Sequence, residues 1–301
     1  MADTPAPPPR RPATLRGLSI NRLLPNALTT IALCAGLTAI RFGLAGDYRS
    51  AVLCVLAAAI FDALDGRIAR RLNVTSRFGA ELDSLSDFCA FGVAPALLMY
   101  LSSMEAAGNL GWVITLMFPI CSAMRLARFN VGLTADDPPP IWASAFFTGV
   151  PAPVGALIVL VPLMLSLSPD INWPWLRHPI VGGGFLIGVG ALMVSRLPSF
   201  SLKKGRIPPH LVLPVLLGVA LAVGLLATSP WVTLPCIMLG YLATLPLSWR
   251  AYGKLEAADR AAKASADAPP APTAEAARPS GPGIVELRPI GGSDPPDRSR
   301  L

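Results

Sequence analysis

The stretch AVLCVLAAAIFDALDGRIARRLNVTSRFGAELDSLSD, residues 51–87, decides the fold of this chain. It opens as an apolar run, Ala51 to Phe61. That is too short to cross a bilayer, which takes about 20 apolar residues, so the run must borrow from the polar sequence after it. Asp62 and Asp65 stand at i and i+3, and on a helix both carboxylates face the same way. A short basic turn, 71–78, then reverses the chain. Asp83 and Asp87, at i and i+4, share one face of the following helix. Two helices joined by so short a turn are antiparallel neighbours, and the two carboxylate pairs meet across their interface.

The rest of the sequence says what solvent surrounds this hairpin. The chain has 301 residues, of which 53% are hydrophobic and only 14% charged, with mean hydropathy +0.55. Soluble domains carry about 25% charged residues, so the deficit argues for lipid. Segments 27–43, 88–103, 110–124, 142–168, 180–195, 211–228 and 231–249 are nearly free of charge. The expected fold is all-α, a polytopic membrane bundle of about eight transmembrane helices. With the N-terminus inside, the cytoplasmic loops hold Arg67, Arg70, Arg71, Arg77, Arg125, Arg128, Arg196, Lys203, Lys204 and Arg206, against Arg41, Arg49 and Arg177 outside. The positive-inside rule then sets both termini in the cytoplasm. The net charge of +7 is therefore topological, and no nucleic-acid partner is expected.

Three regions follow from composition. Residues 1–24 are a basic Pro/Arg-rich arm with no apolar stretch of the signal-peptide kind; 25–250 form the membrane domain; 251–301 read as a disordered cytoplasmic tail. Cys34, Cys54, Cys89, Cys121 and Cys236 lie in apolar segments without a C-x-x-C pair, and are expected in the core rather than in a zinc site. His178 and His210 sit singly beside prolines and read as structural.

Four carboxylates at the edge of a bilayer are costly, and ionisable groups there are usually functional. A divalent cation relieves their repulsion, and oxygen ligands without His or Cys select Mg²⁺, Mn²⁺ or Ca²⁺ over zinc. Gly66, Ala69 and Gly79 leave room beside the acids for a bulky ligand. Arg67, Arg70, Arg71 and Arg77 supply the charge that a phosphate-bearing substrate needs. Plain Asp–Arg ion pairs and a cation-transport path are the alternatives. Ion pairs do not explain acids in register on two faces, and transport sites tend to lie nearer the midplane on broken helices.

Taken together, the residues read D-x-x-D-G-x-x-A-R-x8-G-x-x-x-D-x-x-x-D over 62–87. This resembles, at every position and spacing, the signature of the CDP-alcohol phosphatidyltransferase family. The resemblance implies a metal-dependent enzyme using Mg²⁺ or Mn²⁺, in which an alcohol attacks a CDP-linked lipid and CMP leaves. It implies Asp62, Asp65 and Asp83 as metal ligands. Asp87 would join the second metal or serve as the catalytic base. Gly66, Ala69, Arg70 and Gly79 would line the nucleotide and diphosphate pocket.

Further stretches, Pro25 to Thr29, Met124 to Asn130, Phe147 to Pro153 and Ser195 to Lys204, look like the membrane-integrated bacterial phosphatidylserine synthase branch. The chain departs from that branch at Val150 and Ala152, where Leu and Ser are expected. This resemblance implies CDP-diacylglycerol and L-serine as substrates, an inner-membrane protein with its site facing the cytoplasm, and a homodimer. Asn26 and Thr29 would touch the nucleotide, or else cap the first span. Arg125 and Arg128, at i and i+3, can face one pocket and suit a carboxylate; the same pair suits glycerol 3-phosphate, or simply anchors a span end. Glycerol 3-phosphate, inositol and choline remain open as acceptors, and a divalent-cation transporter remains the rival of another class.

Overall fold

The computed structural model describes residues 20–72, 76–133, 146–171, 173–195, 198–200 and 212–246. The chain divides into two units, 1–256 and 257–301, and all the described residues belong to the first.

Two 25-residue helices begin it, α1 (Ile20–Leu44) and α2 (Tyr48–Leu72). The turn between them needs Gly46 at φ +76°, a left-handed conformation that glycine adopts without strain. Asp47 starts α2 by accepting from the Ser50 backbone N–H at 3.1 Å. The interface is built from small and β-branched residues, with Ala39, Ala51, Val52, Val55 and Ala58 fully enclosed. Such side chains let the two backbones approach closely, as helices in lipid require.

The chain returns through α3 (Arg77–Asp87), a wide π-helical turn (Phe88–Val93) and α4 (Ala94–Ser102). Ser76 caps α3 by accepting from the Gly79 N–H at 3.0 Å. The π turn has a local cause. Pro95 has no N–H to give the helix, and just before it the Ala94 N–H reaches back five residues to the Cys89 carbonyl. A π turn of this kind is rare and often sits at a functional site. Gly36 of α1 lies against this turn, where an added Cβ would stand 2.7 Å from the Ala90 Cα. At the opposite end of the hairpin from the aspartates, the Tyr48 hydroxyl donates to the Leu101 carbonyl at 2.9 Å.

After α5 (Gly108–Leu133) come α6 (Ala152–Val159) and α7 (Val161–Ser166), separated at Leu160 just before Pro162. These two short helices form the core: Ala156, Ile158, Val159, Leu160, Val161 and Met164 are all sealed from the surface. A helix apolar on every side belongs at the centre of a bundle. α8 (Pro179–Val194) is capped by the His178 ring, whose Nδ1 accepts from the Ile180 N–H at 3.3 Å. His178 is therefore structural, as its sequence context suggests; His210 lies outside the described residues. α9 (Val212–Thr228) has no buried residue, and α10 (Pro230–Pro246) follows it.

Among the described residues, three helices are long and apolar enough to cross a membrane: Leu23–Leu44, Arg77–Ser102 and Met104–Val131. The protein is thus a helical membrane protein. Two features differ from expectation. A three-residue ribbon pairs β1 (Phe146–Thr148) with β2 (Pro198–Phe200), antiparallel and with Phe146 opposite Phe200. Cys34 and Cys236 are exposed rather than in the core. An outward thiol on an apolar helix costs little where the solvent is hydrocarbon.

Candidate active site

The α2–α3 hairpin delivers the acids as a split set. Asp62, Asp83 and Asp87 each offer a carboxylate oxygen within 4.8 Å of the others, and Asp62 and Asp87 come within hydrogen-bonding reach of one another. Asp65 lies beside them, on the same cavity wall as Asp83. Its Oδ2 accepts from the Thr29 hydroxyl of α1 at 2.7 Å, and its side chain is buried. Helix geometry accounts for the split. Three residues advance a helix by 300°, so Asp62 and Asp65 diverge by about 60°. One carboxylate then leans toward α3 and the other toward α1.

Three ionised carboxylates so close repel by roughly 3–4 kcal/mol per pair at an effective dielectric of about 20. A cation among them removes that cost. The donor set is all carboxylate oxygen, which suits a hard divalent ion. The residues therefore fit a divalent metal.

Beside this trio lies a cavity of about 390 Å³, lined by Pro25, Asn26, Thr29, Asp65, Gly66, Ala69, Arg70, Ser76, Gly79, Ala80 and Asp83. Six of the eight residues predicted to bind substrate, Asn26, Thr29, Gly66, Ala69, Arg70 and Gly79, are among them. Asp83 belongs both to the trio and to the cavity wall. Gly79 is required by close approach: a Cβ there would stand 2.9 Å from Asn26 Oδ1 and 3.0 Å from Ser76 Oγ. The Thr29 hydroxyl lies 3.1 Å from its own Pro25 carbonyl as well as binding Asp65. The Ser86 hydroxyl, buried on α3, donates to the Thr29 carbonyl at 3.1 Å. One threonine thus ties α1 to both arms of the hairpin.

The opposite flank of the trio belongs to α5. Arg125 is half-buried with its Nε sealed from solvent, and its charge acts on Asp87. Arg128, one turn on, is exposed and donates to the Val194 carbonyl of α8 at 2.7 Å. The two arginines therefore do not converge on one pocket: Arg125 faces the acids and Arg128 ties α5 to α8. Asn130 donates to the Ser84 hydroxyl at 2.9 Å and fixes α5 against α3. Sequence reasoning passed over Ser76, Ser84, Ser86 and Asn130. The first could have been found as a helix cap ahead of the Arg77 turn; the other three depend on tertiary partners.

Comparison with known proteins agrees with this geometry. A family model described as CDP-alcohol phosphatidyltransferase matches residues 22–194, and a second, CDP-alcohol phosphatidyltransferase 2, matches 210–246. A CDP-diacylglycerol–serine O-phosphatidyltransferase of Mycobacterium leprae is 37% identical over 238 residues, covering 79% of this chain and 78% of its own. The Helicobacter pylori (strain J99) protein of the same description is 36% identical over 190 residues, 60% of this chain and 74% of its own. An archaetidylserine synthase of Methanothermobacter thermautotrophicus is 32% identical over 180 residues, 58% of this chain and 68% of its own. The family match takes in the aspartate trio, the cavity beside it and most of the helical bundle, and the chain belongs to the CDP-alcohol phosphatidyltransferase family.

Proposed function

We propose that this enzyme transfers the phosphatidyl group of CDP-diacylglycerol to the hydroxyl of L-serine, with release of CMP. The observation that carries the reading is the flanking of one acidic trio by a cavity on the α1 side and by a half-buried arginine on the α5 side. Two substrates have to meet at one reacting phosphorus, and this arrangement has two sides. Serine is common to the names of the bacterial and archaeal relatives, whether the name is CDP-diacylglycerol–serine O-phosphatidyltransferase or archaetidylserine synthase, which supports serine as the acceptor.

In this reading the cavity takes the cytidine and diphosphate. Asn26 and Thr29 contact the nucleotide, Gly66, Ala69 and Gly79 admit it closely, and Arg70 meets the diphosphate. Asp62, Asp65, Asp83 and Asp87 hold Mg²⁺ or Mn²⁺, which when bound neutralises charge on the diphosphate and on the departing CMP. Asp87 takes the proton of the serine hydroxyl as its oxygen bonds to the diacylglycerol-bearing phosphorus. The bond from that phosphorus to the bridging oxygen breaks, and CMP carries the electron pair away. An ordinary aspartate, with a pKa of about 3.9, is a weak base for an alcohol, so Asp87 depends on its position for this task. Arg125 receives the serine carboxylate, to which a guanidinium is well matched.

The membrane domain spans 25–250 with eight crossings, α1, α2, α3–α4, α5, α6–α7, α8, α9 and α10. Both termini and the site face the cytoplasm of a bacterial inner membrane, by the distribution of Lys and Arg. The arm (1–24) and tail (251–301) lie outside that domain, and the enzyme works as a homodimer, as the family resemblance implies.

The test is CMP release from CDP-diacylglycerol in detergent micelles with Mg²⁺ or Mn²⁺, with and without L-serine, and again after EDTA. Release that requires both the metal and serine is expected. Release stimulated only by glycerol 3-phosphate, inositol or choline would change the product and keep the site. Cation flux in proteoliposomes with no CMP release would replace the enzyme by a transporter.

A further inference from the structure

Two buried side-chain atoms among the described residues have no hydrogen-bond partner, Ser122 Oγ and Arg125 Nε. Both belong to α5, three residues apart, and so share one face. Long side chains on a helix tend to lie back over the preceding turn, and Ser122 is on the turn that precedes Arg125. Ser122 is completely enclosed, at 0% exposure. A serine without other employment on a helix turns its hydroxyl to the carbonyl one turn back. Thr115 does so on this same helix, donating to the Gly111 carbonyl at 2.7 Å. Ser122 instead holds Oγ against the π turn of α3–α4, where a Cβ added at Gly92 would stand 3.1 Å from it. Gly92 lies five residues beyond Asp87, one wide turn of the π helix. Arg125 with Asp87, and Ser122 with Gly92, therefore form successive layers of the same α3–α5 contact.

An unmet buried hydroxyl and an unmet buried guanidinium N–H are each costly, about 1–3 kcal/mol and more for the charged group. Two of them three residues apart on one face of α5, beside the acid assigned to the acceptor hydroxyl, suit one ligand group that accepts from both. We propose that Ser122 is a specificity residue, and that its hydroxyl and Arg125 Nε–H donate together to the carboxylate of the acceptor amino acid. This rests on the serine reading above and names a residue that reading does not use. A carboxylate oxygen has the lone pairs to take both donors. An acceptor without a carboxylate leaves both donors empty, and that kind of penalty gives discrimination.

The test is Ser122→Ala, assayed with L-serine and with CDP-diacylglycerol as the varied substrate, alongside the melting temperature. A hydroxyl with no task costs stability, so its removal leaves the fold as stable or more so. The expected result is a KM for L-serine raised about tenfold or more, with kcat and the KM for CDP-diacylglycerol within about twofold, and an unchanged or higher melting temperature. An unchanged KM for serine overturns the inference, since Ser122 then holds nothing or only a water. A fall in kcat together with a lower melting temperature also overturns it, because the residue would be packing. If the wild-type enzyme shows metal-dependent CMP release yet does not use L-serine, the acceptor reading fails first and takes this inference with it.

Discussion

The two flanks of the aspartate trio are built in opposite ways. On the α1 side several polar groups are already paired: Thr29 holds Asp65, Ser86 holds the Thr29 carbonyl, and Ser76 holds the Gly79 N–H. On the α5 side Ser122 Oγ and Arg125 Nε are buried without partners. A paired cavity keeps its shape before its ligand arrives, and pre-organisation reduces the cost of binding. Unpaired donors gain theirs from the ligand. The difference suggests that the large nucleotide is met by a finished surface and the small acceptor completes an unfinished one.

The largest effect should come from the residue that joins the trio to one flank. Asp83 is a member of the trio and a wall of the cavity. Asp83→Asn is expected to reduce CMP release by about a thousandfold or more, on the scale of losing an essential catalytic group, with the helical fold intact by circular dichroism. Asp87→Asn should match it. If either variant keeps more than a tenth of wild-type turnover, its carboxylate is not part of the mechanism.

Next, Gly79→Ala breaks one flank alone. Its Cβ would press on Asn26 Oδ1 and Ser76 Oγ, and both residues line the cavity. A rise of about tenfold in the KM for CDP-diacylglycerol is expected, the size of a small overpacking strain of 1–3 kcal/mol, with the KM for serine unmoved. A rise in both KM values would mean that the flanks are not separable. Thr29→Val sharpens the same point with a smaller effect. It removes one hydrogen bond to the buried Asp65 and should cost about 1–2 kcal/mol of melting stability and severalfold in CDP-diacylglycerol affinity. Equal loss with serine would again join the two sides.

Much of this site was legible because the spacing of four acids on two helices carries directional information. What the spacing could not give is the partner that each direction meets. Asp62 and Asp65 look alike in sequence, and nothing in the spacing shows that Asp65 alone also accepts from the Thr29 hydroxyl of α1. Arg125 and Arg128 look like a pair for the same reason, yet α8 supplies a carbonyl that takes Arg128 away. The spans were legible as apolar runs, but burial was not. The segment that became α6 and α7 is as apolar as α9, and one is the core while the other has no buried residue. In hydrocarbon a lipid-facing helix and a central one obey the same composition rule. The β1–β2 ribbon escaped because three residues give no periodicity and the two strands lie about fifty residues apart in sequence.

The smallest effect belongs at the far end of α2, where neither flank is involved and only folding should respond. Asp47 precedes that helix, and hydrogen bonds from Ser50, side chain first and then backbone N–H, hold its carboxyl below the usual carboxylate range. A carboxyl depressed in the folded state contributes stability that is present above its unfolded value of about 3.9. That contribution fades as the pH falls through the lower folded value. Asp47→Ala should therefore lower the melting temperature slightly at neutral pH, and the difference from wild type should close on acidification below about pH 4. Asp47→Asn keeps an acceptor that caps a helix nearly as well and should lie close to wild type, without the acid dependence. The KM values for both substrates should be untouched in either variant. A shift in serine KM from this position would show that the acceptor flank is coupled to the opposite end of the hairpin, and that its open donors answer to the whole of α2 rather than to the ligand alone.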